Sequence, residues 1–312
     1  MALPAVLRSG LEVPVIAAPM TRVSGPELVV AACRAGVIGA FPTHNARDAD
    51  ELDAWLHRIR HDVAEGSGAA AAFAANLVVH RSNHRLDEDM ACLIRHRVPV
   101  VITSVGSPVP VVGPLHDAGC LVLADVATMR HVERALAAGV DGLVLLTAGA
   151  GGQTGWLNPL AFVRAVRREF AGPVVLAGGV TDGATVFAAE VLGADLCYMG
   201  TAFIATTESR ASDAYRNAVV AAGMDDVVQT TAATGLPANL LRSWWERHTD
   251  HLGRSDGASG TFTFSSLLGD REPWAAGHSV AGVDRVRPVA ALVESVRKEY
   301  QSARAAAFGT MP

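Results

Sequence analysis

The residues of this chain that could do chemistry are glycines and side-chain amides rather than amines or thiols. The densest cluster is Gly149-Ala150-Gly151-Gly152-Gln153-Thr154-Gly155, four glycines in seven residues. Glycine at this density costs backbone entropy, and a chain tolerates it where backbone must approach something flat or bulky. A flavin ring or a phosphate qualifies; a merely flexible loop is the plain alternative. Two further pairs, Gly178-Gly179 and Gly200-Thr201, stand between an apolar run and a helix start. Backbone N–H groups there are uncovered by side chains and aligned with a helix dipole, which makes an anion site, most often for phosphate. Glycines that only turn the chain are the competing reading. Asn76 ends another apolar run. A buried amide needs partners, and either the donors and acceptors of a ligand edge or the next backbone turn can supply them.

Several chemistries are excluded by what is missing. Of 26 basic residues only Lys298 is lysine, so 26 − 1 = 25 are arginine. A Schiff base needs an amine that can lose its proton, which arginine cannot supply. Lys298 sits in the terminal stretch RKEYQSARAAAF, so lysine-based aldolase and pyridoxal chemistry are not expected, and no GK[ST] phosphate loop is present. The net charge of −5 with no basic block argues against nucleic acid as a partner. Cys33, Cys92, Cys120 and Cys197 are scattered without CxxC spacing, so no metal or disulfide framework is expected. Neither a signal peptide nor a membrane span is apparent, which predicts a cytoplasmic protein.

The elements that must position these residues follow from the apolar pattern. Half of the 312 residues are hydrophobic and 18% are charged, enough for a large core. Eight short, continuous apolar runs recur: 13–18, 37–40, 71–77, 99–103, 120–124, 142–147, 173–177 and 196–199. Runs that do not alternate read as strands covered on both faces. Helix patterns lie between most of them, at 26–34, 48–63, 86–96, 128–138, 159–170 and 183–192, with Ser24, Thr128, Asn158 and Asp182 as capping residues. This alternation predicts an α/β fold, a (β/α)8 TIM barrel, whose functional loops follow the C-terminal ends of the strands. A doubly wound sheet would carry a glycine fingerprint after its first strand, and Ala18-Pro19-Met20 is not one. After Gly200 the pattern changes, and residues 230–269 are loop-rich. Barrel residues 1–205 and 280–312 are therefore expected to flank a small cap subdomain, 206–279, over the barrel mouth. Trp244-Trp245 reads as packing within that cap, and the cap could equally present a surface for a homodimer.

In this order, AAPMTRVSGPELVVAACRAGVIGAFPT, ANLVVHRSN, VPVVITSVG, AGAGGQTG, VVLAGGVTDG and LCYMGTAFIATTES resemble the nitronate monooxygenase (2-nitropropane dioxygenase) family of FMN-dependent barrels. TGLPANLL and WAAGHSVAG extend the likeness over most of the chain. The resemblance implies FMN held by Ala18, Pro19, Met20, Asn76, Gly152, Gly178, Gly179, Gly200 and Thr201. Ser104, at the end of the fourth strand, and Gly151, in the glycine loop, join that expected set. It implies an oxidoreductase that oxidises a nitronate or related carbanion-like small molecule with O2 as acceptor. The family loop usually reads GGHxG, its His regarded as the base, and here that position is Gln153. An amide cannot take a proton near neutral pH, but it can donate a hydrogen bond to a nitro oxygen. Catalytic roles are therefore expected of Gln153 as a donor and of His80 or His278 as a replacement base, with His44 behind them. Two alternatives remain: an NAD(P)H-dependent flavin reductase of enoyl thioesters, and a flavin-binding protein without the base-dependent activity.

Overall fold

The computed structural model describes residues 3–66, 68–252 (backbone only at 249–252), 262–268 and 272–309. Its strands are β1 Val15–Ala17, β2 Ile38–Pro42, β3 Phe73–Val78, β4 Val100–Ser104, β5 Leu121–Val126, β6 Gly142–Leu146, β7 Gly152–Gln153, β8 Val174–Ala177, β9 Leu196–Met199, β10 Val227–Thr230 and β11 Ala238–Leu241. Eight of them close a barrel in the order β1-β2-β3-β4-β5-β6-β8-β9, every pair parallel, with β9 returning to β1 through Ile16↔Tyr198. The fold is the expected (β/α)8 TIM barrel, with helices outside.

Each barrel strand is buried on both faces, which is why the runs are continuous rather than alternating. The inward set includes Ile16, Ile38, Ala74, Val100, Ile102, Leu123, Val144, Val175 and Leu196. Leu7, from the short helix Ala5–Arg8, joins that set and is fully buried. The outward set packs against the helices. A fully buried Val, Leu or Ile contributes about 1.5–3 kcal/mol relative to exposure, so these layers hold the barrel shut. The eighth strand is followed by a helix of only four residues, Thr201–Ile204. The terminal helix Val289–Phe308 packs on Gly183–Leu192 and on Pro26–Arg34, filling the gap between the first and seventh helical layers.

Three local expectations change. A helix at Val109–Asp117 joins β4 to β5, in a stretch whose Pro110, Gly113 and Pro114 hide it from a helical pattern. Pro26–Arg34 is capped by Gly25 without a side-chain bond. Ser24 instead accepts from the Met20 N–H at 3.0 Å and donates to the Ala18 carbonyl, bracing the turn after β1. The loop-rich region holds β11 and a helix at Arg242–Leu252, and β10, β11 and β7 form a three-stranded antiparallel sheet. That sheet ties the glycine loop after β6 to the chain covering the barrel mouth. Beneath it lies a separate apolar cluster, with Tyr215, Leu241 and Trp244 buried together.

Candidate active site

At the C-terminal end of the barrel the inward alternation switches from apolar to polar. Asn76, Ser104, Asp125, Leu146, Ala177 and Tyr198 floor a cavity of about 230 Å³. Every residue expected to hold the cofactor lines it, from Ala18-Pro19-Met20, through Asn76, Ser104 and Gly151-Gly152, to Gly178-Gly179 and Gly200-Thr201. Gln153 lines it too. From above it is covered by Tyr215, Thr234, Leu240, Leu267, Glu272 and Ala275.

The floor is partly self-satisfied. Asn76 Nδ2 donates to the Ile102 carbonyl and to Ser104 Oγ, both at 3.1 Å, while Ser104 Oγ donates back to Asn76 Oδ1 at 3.3 Å. The amide is thus held by its neighbouring strand rather than by the next backbone turn. Asp125 Oδ1 and the Tyr198 hydroxyl are buried without any partner. Burial pushes the Asp125 carboxyl up to about 7, and burial together with the Asp125 charge pushes Tyr198 well above the usual phenol range. Both residues went unsingled in the sequence. The signal was present in the inward alternation Leu121, Leu123, Asp125 and Leu196, Tyr198.

The opposite wall is backbone. Gly178 and Gly179 have φ of 117° and 72°. A Cβ on Gly178 would sit 2.5 Å from Thr147 Oγ1, whereas one on Gly179 would meet nothing within 4 Å. Among the described residues, the N–H groups of Gly179, Val180, Gly200 and Thr201 have no protein acceptor. The helix Gly183–Leu192 is not the donor the sequence suggested. Asp182 caps it through Thr185 N–H at 2.8 Å, and its Gly183 N–H is spent on Glu299 at 3.0 Å. The free donors belong to the loop ahead of it.

The glycine loop has a second reason for its composition. Gly152-Gln153 pairs with Asn239-Ala238, and a Cβ on Gly151 or Gly277 would approach the other's backbone to 2.7 Å or the Gly149 carbonyl to 2.3 Å. Backbone packing against backbone therefore explains Gly151 and Gly277, a Cβ on Gly149 would meet His278 Nδ1 at 2.9 Å, and Gly152 lines the cavity at a φ of 64°. Asn239 clamps the loop by donating to the Ala150 carbonyl at 2.7 Å. On the other side of the mouth Val105 has a φ of 52°. A β-branched residue held there stores about 1–3 kcal/mol, which the surrounding turn must impose.

The histidines separate. His80 does not line the cavity; its Nδ1 accepts from Ser82 N–H at 3.2 Å and pairs with Ser82 Oγ at 2.7 Å, and its ring meets Phe262 edge-on. Ser82 Oγ in turn accepts from Phe264 N–H, so His80 secures a covering segment. His278 stands exposed behind the loop, its N–H donating to the Gly149 carbonyl at 3.0 Å. The histidine that lines the cavity is His44, 3.1 Å from Thr21 Oγ1. Burial, with Arg85 nearby, pulls it down to about 4, so it is neutral at pH 7 and a weak base. Lys298 pairs with Glu294 at 3.2 Å on the terminal helix. Asp53, Cys92 and His96 cluster outside the cavity lining, where Asp53 is occupied by His96 and Arg95 at 2.9 and 3.0 Å.

The family model described as nitronate monooxygenase matches residues 7–259. A nitronate monooxygenase of Paraburkholderia phytofirmans is 29% identical over 274 residues, 75% of this chain and 74% of its own. A (3aS,4S,5R,7aS)-5-hydroxy-7a-methyl-1-oxo-octahydro-1H-indene-4-carboxyl-CoA dehydrogenase of Mycobacterium tuberculosis is 28% identical over 75% of this chain; the chain spans 64% of that relative's length. Among solved structures, FabK from Thermotoga maritima superposes with a TM-score of 0.81 at 26% identity, over 98% of this chain and 97% of that one. Nitroalkane oxidase from Streptomyces ansochromogenes gives the same score and identity over 96% and 98%. No helix among the described residues is long and apolar enough to cross a membrane.

Proposed function

This chain belongs to the nitronate monooxygenase family and is an oxidoreductase, and from that premise we propose that it uses FMN to oxidise a preformed nitronate or related carbanion-like substrate with O2 as acceptor. One observation carries the reading: unspent backbone N–H groups and unspent polar floor atoms converge on a single covered cavity. FMN fits that donor set. Gly179, Val180, Gly200 and Thr201 would take its phosphate oxygens without a lysine. Gly178 and Gly152 let backbone lie close to a flat ring, and Asn76, Ser104, Asp125 and Tyr198 offer donors and acceptors to a pyrimidine edge. FMN, when bound, supplies the electron chemistry, taking two electrons from the substrate and passing them to O2.

The protein's own residues position and polarise. Gln153, held by β7 at the mouth, donates from its amide to a nitro oxygen of the substrate. The described covering residues between 206 and 279, acting as a cap, keep water from the reacting carbon. Gln153 cannot take a proton and His44 is held neutral, so a substrate that arrives already deprotonated suits the site. A neutral nitroalkane would first have to lose a carbon-bound proton. The likeness to a carboxyl-CoA dehydrogenase supports a second reading, reduction of an enoyl thioester by NAD(P)H.

Anaerobic mixing of the FMN-loaded protein with propyl-2-nitronate, and separately with NADPH, decides between them. The proposal expects the nitronate to bleach the visible flavin absorbance and NADPH not to. Bleaching by NADPH alone favours the second reading, and bleaching by neither removes both. Gln153→His is expected to add activity on neutral nitroalkanes and to leave nitronate oxidation within a few-fold.

A further inference from the structure

Asp125 and Tyr198 carry the two cavity-floor atoms without a protein partner. An unpaired buried carboxylate is costly, and the cost is offset only where something entering the cavity uses the group. Asp125 pairs with Val144 on β6, and Ser104, Leu146 and Tyr198, at the ends of β4, β6 and β9, line the cavity with it; none of these is charged. The charged side chains elsewhere in the lining are Arg22, on the turn after β1, and Glu272, in the cover; His44 is neutral. No lysine reaches the cavity, and its fixed cation, Arg22, stands on the turn after β1, away from the strands that carry Asp125 and Tyr198.

Resting on the FMN reading, we propose that Asp125 is the proton-exchanging residue of this site, taking a proton from solvent as the cofactor gains its electrons. The balance is simple. Two electrons and one proton from the reductant leave the flavin with one negative charge, and the Asp125 carboxylate gains one proton and loses its own. The floor carries a single negative charge before and after, so two like charges never share one low-dielectric space. Burial already brings the carboxyl to about 7, within reach of such a shift. Tyr198, pushed upward by burial and by the Asp125 charge, keeps its O–H and stays a fixed donor.

The test is the midpoint potential of the FMN holoenzyme between pH 7 and 9, in the wild type, Asp125→Asn and Tyr198→Phe. A second proton per two electrons steepens the wild-type line by about 30 mV per pH unit. Asp125→Asn is expected to lose that extra slope, while Tyr198→Phe keeps it and shifts only the intercept. Parallel wild-type and Asp125→Asn lines overturn the proposal, as does loss of the slope in Tyr198→Phe. Should the Asn variant not fold, the wild type alone suffices. Its infrared difference spectrum at pH 8 must gain a protonated-carboxyl band on reduction by dithionite, and absence of that band overturns the assignment. Failure of every form to bind FMN overturns the flavin reading itself. FMN bound with parallel lines overturns only the role of Asp125.

Discussion

The cavity has two unlike walls. The floor, from the ends of β3, β4, β5 and β9, is made of polar side chains: Asn76, Ser104, Asp125 and Tyr198. The rim, from the turns after β8 and β9, is rich in glycine and presents backbone N–H groups at Gly179, Val180, Gly200 and Thr201. Backbone donors cannot titrate, and their placement is set by the barrel, so an anion bound at the rim, as proposed, would be held at every pH. The floor titrates and can follow the charge of what is bound. On the proposed reading, a chain with one lysine builds an anion site and a redox site without an amine in either.

The rim is the easier wall to break. Gly179→Val adds a branched side chain at a φ of 72° in space that the glycine leaves open to the cavity. FMN affinity is expected to fall by about a hundredfold or more, about 2.8 kcal/mol, while the melting temperature falls by only a few degrees. A titration of the cofactor-free protein with FMN, followed by tryptophan fluorescence, checks this. Unchanged affinity would move the phosphate away from the rim.

The floor answers to pH. In the folded protein Asp125 titrates near 7, against about 3.9 for an unfolded Asp. The native state holds the extra proton between those values, so the wild type loses stability as pH rises through that window. Asp125→Asn removes the penalty and is expected to be the more stable protein at pH 8, by on the order of a few kcal/mol. The gap closes toward pH 4. Thermal melts at the two pH values read it directly, and equal gaps at both would show that Asp125 finds a partner.

The smallest effect is expected within the satisfied part of the floor. Ser104→Ala leaves Asn76 its bond to the Ile102 carbonyl and costs about 1 kcal/mol. FMN binding should weaken less than about tenfold, in the same fluorescence titration. A loss as large as that of Gly179→Val would erase the distinction between the walls.

Much of this was legible in the sequence because the barrel is a repeat of simple physics. Continuous apolar runs marked all eight barrel strands to within a few residues, and glycines after the seventh and eighth marked the rim. What was hidden shares a cause: tertiary partners override local pattern. Pro110, Gly113 and Pro114 conceal a helix that packing stabilises, and the two-residue β7 exists only because β11 pairs with it. Gly149 and Gly151 line the cavity, yet their lack of a side chain also answers to His278 and Gly277 packed behind the loop. His80 and His278 stood in motif segments near the mouth, yet His80 bonds Ser82, His278 stands exposed, and His44, ranked behind them, reaches the cavity. Asp125 was readable from alternation alone, since Leu121 and Leu123 face inward four and two residues before it.

The central claim is that this cavity holds FMN, and the visible absorption spectrum of the purified protein after FMN addition and gel filtration tests it most directly. The account predicts a yellow protein with about one flavin retained per chain and resolved bands in the visible region. A colourless protein that passes FMN through unchanged would contradict it.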